Sequence, residues 1–124
     1  MKALLTITAG IETVAGLALM LVPAAVVWIL LGSSLETPAG LIVGRILGAA
    51  LSSLGVVCWL ARDESPGRTV AGLIVALLLY NLAVVSLLGY AWVGLGMSGL
   101  GLCPAVILHS TLGVWCIARL RIKN

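Results

Sequence analysis

Apolar residues dominate this chain in four long runs. The runs cover about residues 3–31, 40–61, 69–90 and 102–118. Each is close to or above the roughly 20 residues with which an α-helix crosses a bilayer, and a helix satisfies its own backbone polar groups in hydrocarbon. We therefore predict an all-α membrane protein in which four transmembrane helices form a single domain over residues 1–124.

The connections between the runs are short, which predicts antiparallel neighbours and an up-down-up-down bundle. Six cations then fall on one side of the membrane: Lys2, Arg62, Arg68, Arg119, Arg121 and Lys123. The two other connections contain no Lys or Arg. Because Lys and Arg are enriched in cytoplasmic segments, we expect cytoplasmic N- and C-termini and a multi-pass protein of the bacterial inner membrane.

Composition and tryptophan positions agree with this interpretation. The chain is 62% hydrophobic and only 9% charged, unlike a soluble protein. Its net charge of +3 suits anionic lipid headgroups, so the bilayer is the expected partner and nucleic acid is not. The aromatic belt predicts interface anchors, with Trp59 and Trp115 near the inner boundary and Trp28 and Trp92 near the outer one.

The first run is too long for one untilted span. Pro23 removes a helical hydrogen bond and should kink the helix. The run therefore either tilts strongly, or residues 24–31 turn along the outer interface.

Three polar side chains lie deep inside the runs: Glu12, Asn81 and His109. Glu12 lies ten residues beyond Lys2, which is roughly 15 Å along a helix. An unpaired charge at that depth is costly, so we expect a buried polar network with a Glu12–His109 hydrogen bond, direct or through one water. The network is either a packing device or a proton-relay or ligand site.

Arg45 lies higher, roughly 26 Å from the cytoplasmic end of its helix. It is predicted as an outer-side cation with three alternatives. It extends to the headgroups, pairs inward with Glu12, or offers an outward-facing anion site.

Small residues recur every fourth position along one face of the second helix: Gly40, Gly44, Gly48 and Ser52. Such a face lets another helix approach closely, either inside the monomer or at a partner contact. The uncharged, glycine-rich outer loop at residues 94–101 is also easily buried against a partner or tucked into the membrane.

Part of the first half resembles known small membrane proteins. The matching stretches are Pro-Ala-Ala at 23–25, Leu-Leu-Gly at 30–32, Gly-Arg-Ile-Leu-Gly-Ala-Ala at 44–50, and Leu-Gly-Val-Val-Cys-Trp-Leu-Ala-Arg at 54–62. They are similar to bacterial four-helix membrane proteins of unknown function, and loosely to the DoxX-like group. The resemblance implies an inner-membrane protein, sometimes an accessory subunit of a redox complex, and suggests that Arg45 matters.

No motif indicates a reaction, and we do not expect an enzyme. The three cysteines form no metal-ligand spacing, and neither a metal nor a cofactor is expected. The first hypothesis is a non-catalytic protein that acts by association, as an accessory subunit or a homo-oligomer. One alternative is a small-solute or proton-linked carrier that uses Glu12, Asn81 and His109. A second alternative, which rests on the resemblance, is a quinone- or haem-contacting subunit.

Overall fold

The computed structural model describes residues 1–122, so the predicted cytoplasmic cation Lys123 lies outside the described residues. Within that part the chain is helical and contains no strand. The elements are α1 (Lys2–Leu21), α2 (Pro23–Leu31), α3 (Pro38–Ala61), α4 (Arg68–Val93) and α5 (Leu102–Arg121).

Four of these helices, α1, α3, α4 and α5, are long and apolar enough to cross a membrane, which confirms the prediction of four long apolar helices. They contain 20 to 26 residues, or roughly 30–39 Å at the α-helical rise. The observed ends differ from the predicted ones by at most three residues in α3, α4 and α5. Thr37 begins α3 by accepting a hydrogen bond from the Gly40 amide at 3.1 Å, with Pro38 in the first helical position.

The first apolar run is two helices, and a single span over residues 3–31 is therefore wrong. Val22 has φ −134° and ψ 57°, outside the helical region, and it separates α1 from α2. Pro23 cannot donate a backbone hydrogen bond, but it is tolerated as the first residue of a new helix. The short α2 ends at Gly32, whose φ of 67° is left-handed. The break at Val22 agrees with a disruption at Pro23, and the course of residues 24–31 along the outer interface stays a prediction.

Helix α1 packs closely on α3 through small residues on both helices. Gly16 lies against Gly48 and Ser52, while Gly55 lies against Ala9 and Thr13. Residue numbers rise along α1 as they fall along α3, so these two helices run in opposite directions. A β-carbon on Gly16 would stand 2.6 Å from the Gly48 carbonyl oxygen, so the approach requires glycine.

All four long helices contribute to one hydrophobic core. Its buried members are Leu4, Leu5, Ala9, Cys58, Val70, Ile74, Leu77, Leu112 and Cys116. They come from the start of α1, the end of α3, the start of α4 and the second half of α5. The core therefore lies toward one end of the molecule, which also holds Lys2, Arg62 and Asp63 and is called the basic end below.

An ion pair joins α1 to the α3–α4 connection at the basic end. Lys2 Nζ lies 2.6 Å from Asp63 Oδ1, and Arg62 Nε lies 3.2 Å from Asp63 Oδ2. The Lys2 ammonium, which donates a hydrogen bond to the carboxylate, lowers the pKa of Asp63 below its ordinary value. Because the pair is exposed to solvent, it orients the N-terminus more than it stabilises the fold.

At the opposite end, the glycine-rich loop folds onto α2. The Gly101 amide donates a hydrogen bond to the Ile29 carbonyl oxygen at 2.8 Å. Gly99 lies directly against the backbone of Ile29 and Leu30, where a β-carbon would not fit. Gly99 and Gly101 thus pack on α2 of the same chain, while Leu95 and Leu100 of the loop stay exposed.

Candidate functional site

Polar side chains from α1, α4 and α5 meet between the helices and form the candidate site. Glu12 and Asn81 are buried, with 1% and 2% of their surface exposed, and His109 is half-buried. Thr8, one helical turn before Glu12, is buried as well. These positions are far from the helix ends, so each group must find its hydrogen-bond partner within the protein.

Glu12 is hydrogen-bonded to Tyr80, not to His109. The Tyr80 hydroxyl donates to Glu12 Oε2 at 3.2 Å, while Glu12 Oε1 has no hydrogen-bond partner in the described part of the chain. The described residues therefore contain no direct hydrogen bond between Glu12 and His109, and a bond through one water stays a prediction. Tyr80 of α4 donates to the carboxylate instead, and the imidazole packs edge to face against the Tyr80 ring.

His109 instead pairs with Asn81. Its Nδ1 lies 2.8 Å from Asn81 Oδ1, and Asn81 Nδ2 donates to the Leu77 carbonyl oxygen at 2.7 Å. Since the amide group donates to Leu77, its oxygen faces the imidazole and accepts a hydrogen bond from Nδ1–H. This assignment leaves Nε2 of a neutral ring as an acceptor.

Tyr80 brings the two pairs into one cluster. Its ring meets the His109 imidazole edge to face, with 5.6 Å between centroids and 82° between planes. Glu12, Tyr80, His109 and Asn81 are thus contiguous, although only three of them were predicted. The available signal for Tyr80 was its place beside Asn81, at nearly the same depth in an apolar run.

Arg45 lies on the exposed surface of α3, away from this cluster. Among residues 1–122 it forms no ion pair, so the alternative of pairing with Glu12 is not what the structure shows. The extended headgroup position and the outward anion site stay open as predictions.

The predicted small-residue face lies inside the chain. Gly44 lies against Pro23, Gly48 against Gly16 and Met20, and Gly40 against its own preceding loop. Ser52 faces Gly16, and its buried hydroxyl has no hydrogen-bond partner among the described residues. This face is therefore covered by α1 and α2 and is not free for a partner.

The predicted interface tryptophans are mostly on the surface. Trp28, Trp59 and Trp92 are exposed, whereas Trp115 is half-buried against the core. The Arg62 guanidinium lies 3.5 Å from the centroid of the Trp59 ring and donates to the Trp59 carbonyl oxygen. Trp59 therefore lies beside a cation at the basic end, as an aromatic belt residue would.

Two surface cavities lie away from the polar cluster. A groove of about 470 Å³ lies between the end of α3 and the start of α4, with Leu60, Val70 and Leu73 among its walls. A smaller one of about 210 Å³ lies between α2 and the outer loop, beside Trp28 and Gly99. Neither is lined by Glu12 or His109.

The other candidate chemistry is sparse. Within residues 1–122 no group of three or more His, Cys, Asp or Glu side chains is placed to hold a metal ion. Cys58 and Cys116 are buried free thiols, and Cys103 is an exposed one. The cluster of Glu12, Tyr80, Asn81 and His109 is consequently the main concentration of polar chemistry inside the helices.

Comparison with protein families, curated proteins and solved structures gives no match to this chain. The resemblance to DoxX-like proteins stays a prediction, as does the quinone or haem contact that it implied.

Proposed function

We propose that this is a bacterial inner-membrane protein that acts without catalysis, by associating with another membrane protein or with itself. In the proposed arrangement the four long helices run up-down-up-down with both termini in the cytoplasm. The placement of Lys2 beside Arg62 at the basic end supports this orientation, because cytoplasmic segments are rich in cations. The four long apolar helices support the membrane location.

The observation that carries association is the hydroxyl of Ser110. Ser110 is exposed in the middle of α5 and has no hydrogen bond among the described residues. Three other exposed hydroxyls, those of Ser53, Ser86 and Thr111, each donate to the carbonyl oxygen four residues earlier. A polar group that faces hydrocarbon without a partner is unfavourable, and a neighbouring helix can supply the hydrogen bond.

The small-residue face of α3 is covered by α1 and α2. The glycine-rich loop contacts α2 through Gly99 and Gly101, while Leu95 and Leu100 stay exposed. The exposed face of α5 is free of such contacts and keeps the hypothesis of an accessory subunit or homo-oligomer.

Association predicts that gentle extraction yields a particle larger than one chain. We expect native mass spectrometry after mild-detergent extraction to detect a second polypeptide bound to the tagged protein. Ser110→Val should lower the bound fraction several-fold, because it removes the unpartnered hydroxyl. Thr111→Val is the matched control and should leave it unchanged, since the Thr111 hydroxyl is satisfied within its own helix. A particle that holds one chain and no other protein would contradict the proposal.

A second candidate is a proton-linked carrier, which is favoured by the unpartnered Oε1 of the buried Glu12. A carboxyl oxygen without a hydrogen bond in the membrane interior is a place where a transported proton can bind. The described cavities do not reach this oxygen, so the carrier would need a second conformation that opens toward Glu12.

The carrier predicts proton movement that depends on Glu12. In liposomes with an entrapped pH-sensitive dye, we expect the protein to accelerate pH equilibration, and Glu12→Gln to return the rate to that of empty liposomes. Ser86→Ala, a change of an exposed hydroxyl on α4, should retain the wild-type rate. Equal rates for the wild type and Glu12→Gln would remove this candidate.

A further inference from the structure

The groove of about 470 Å³ between α3 and α4 has an apolar wall and a polar mouth. Val57, Leu60 and Leu73 belong to the wall, while Glu64 and Ser65 line the mouth at the α3–α4 connection. Its volume falls within the range of about 300–1,000 Å³ that is typical of small-molecule sites. The groove therefore suits an amphiphile whose apolar part lies along the helices and whose polar part lies at the connection.

The charged side chains around the mouth divide into paired and unpaired ones. Asp63 takes both Lys2 and Arg62, so these three groups neutralise one another. Glu64 lines the groove and forms no ion pair within residues 1–122. Arg68, which begins α4, is exposed and also forms no ion pair in that part of the chain. The mouth thus presents an acid and, four residues later, a base, neither of which is neutralised by another described side chain.

This distribution of charge is complementary to a zwitterionic phospholipid headgroup that contains a primary ammonium group. Such an ammonium group has three N–H donors, which suit the Glu64 carboxylate and the hydroxyl oxygens of Ser65 and Thr69 in the groove lining. The phosphate group suits the guanidinium of Arg68. A choline headgroup has no N–H donor, and a glycerol headgroup has no cation for Glu64. Ethanolamine is therefore the headgroup of these three that uses both charges and donates hydrogen bonds to the acid.

The position of the groove matches the level of a lipid headgroup. The mouth lies at the basic end, which the proposed orientation places at the cytoplasmic boundary of the membrane. Val57 and Leu60 of the wall are 48% and 69% exposed, so the groove opens on the apolar surface of the long helices. An acyl chain can thus enter the groove from the hydrocarbon while its headgroup stays at the connection.

We infer that the groove between α3 and α4 binds one phosphatidylethanolamine molecule, with an acyl chain along the apolar wall, the ammonium group on Glu64 and the phosphate group beside Arg68. The lipid would fill the space that the described side chains leave open between the end of α3 and the start of α4. The inference uses the membrane location and orientation proposed above. It does not depend on association with another protein.

Lipid selectivity tests the inference. The protein is reconstituted in an equimolar mixture of phosphatidylethanolamine, phosphatidylcholine and phosphatidylglycerol with identical acyl chains, extracted in mild detergent and measured by native mass spectrometry. We expect one retained lipid, predominantly phosphatidylethanolamine. Glu64→Gln should lower its retained fraction several-fold, because the ammonium group loses an ionised partner. Glu36→Gln, the same change at an exposed acid at the opposite end, should retain it as the wild type does.

A second pair of variants tests the groove itself. Val57→Trp fills the groove and should lower the retention of phosphatidylethanolamine several-fold. Val56→Trp adds the same side chain at a position that is 53% exposed and outside the groove lining, and it should leave the retention unchanged.

Three results would overturn the inference: equal retention of the three lipids by the wild type, wild-type retention by Glu64→Gln, or wild-type retention by Val57→Trp. A bound second polypeptide without selective lipid retention would overturn the inference and leave the proposed association standing. A single chain that retains phosphatidylethanolamine through Glu64 and the groove would support the inference and contradict the association.

Discussion

Replacing Gly16 by alanine should cost about 1–3 kcal/mol of unfolding free energy, the usual range for overpacking a tightly packed interior. The added β-carbon would lie 2.6 Å from both the Gly48 carbonyl oxygen and the Ser52 backbone nitrogen. These are backbone atoms of α3, so the contact can be relieved only by separating the two helices. Unfolding in mixed micelles with an increasing fraction of denaturing detergent, followed by tryptophan fluorescence, measures the loss.

Gly10 provides the matched control on the same helix. A β-carbon at Gly10 would meet nothing within 4 Å, so Gly10→Ala makes the same chemical change without the clash. We expect this variant to be as stable as the wild type or slightly more stable, because alanine loses less backbone entropy than glycine in a helix. If Gly16→Ala and Gly10→Ala were equally stable, the close α1–α3 contact would be wrong.

Replacing Tyr80 by phenylalanine should also destabilise the protein by about 1–3 kcal/mol, because it leaves a buried polar group without its partner. The Tyr80 hydroxyl is the donor to Glu12 Oε2, and the other carboxyl oxygen already lacks a hydrogen bond. Phenylalanine keeps the edge-to-face contact with the His109 ring, so the loss reports on the hydroxyl group. The same detergent titration provides the measurement.

The control for this variant is the same Tyr80→Phe change made in a Glu12→Leu protein. Replacing both hydrogen-bond partners by apolar groups is often nearly neutral, so Tyr80→Phe should cost little once the carboxyl group is absent. The difference between the two backgrounds is the coupling energy of the pair, expected at about 0.5–3 kcal/mol for residues in direct contact. A cost of Tyr80→Phe that is the same in both backgrounds would show that Glu12 and Tyr80 do not interact.

The four long helices were predictable because their signal is local. A run of about 20 apolar residues with few or no charges indicates a transmembrane span, and this holds whatever the rest of the chain contains. Local chemistry also marks two helix ends: the Thr37 side chain caps the start of α3 before Pro38, and Gly32 takes the left-handed conformation that ends α2. The break at Val22 was partly predictable in the same way, because Pro23 indicates that the helix is disrupted. Proline does not indicate whether the helix bends or ends.

The contents of the polar cluster depended on the tertiary structure. Equal depth along two helices brought Glu12 and His109 to the same level, but depth does not give the rotation of each helix about its axis. That rotation turned Tyr80 toward Glu12 and Asn81 toward His109. The sequence placed Glu12 and His109 at one level, and the structure pairs Glu12 with Tyr80 and His109 with Asn81.

Because the sequence does not give helix rotation, it also could not assign the small-residue face of α3 to an internal or an external contact. The four-residue spacing in α3 indicated that another helix would approach, and both an internal and an external contact satisfied it. The structure places Gly16 of α1 there, and the two facing glycines allow the backbones of α1 and α3 to approach closely. The length and apolarity of each helix are thus determined by its own residues. Which helix faces a neighbour and which face stays open depends on how all the side chains pack together, and that property belongs to no single segment.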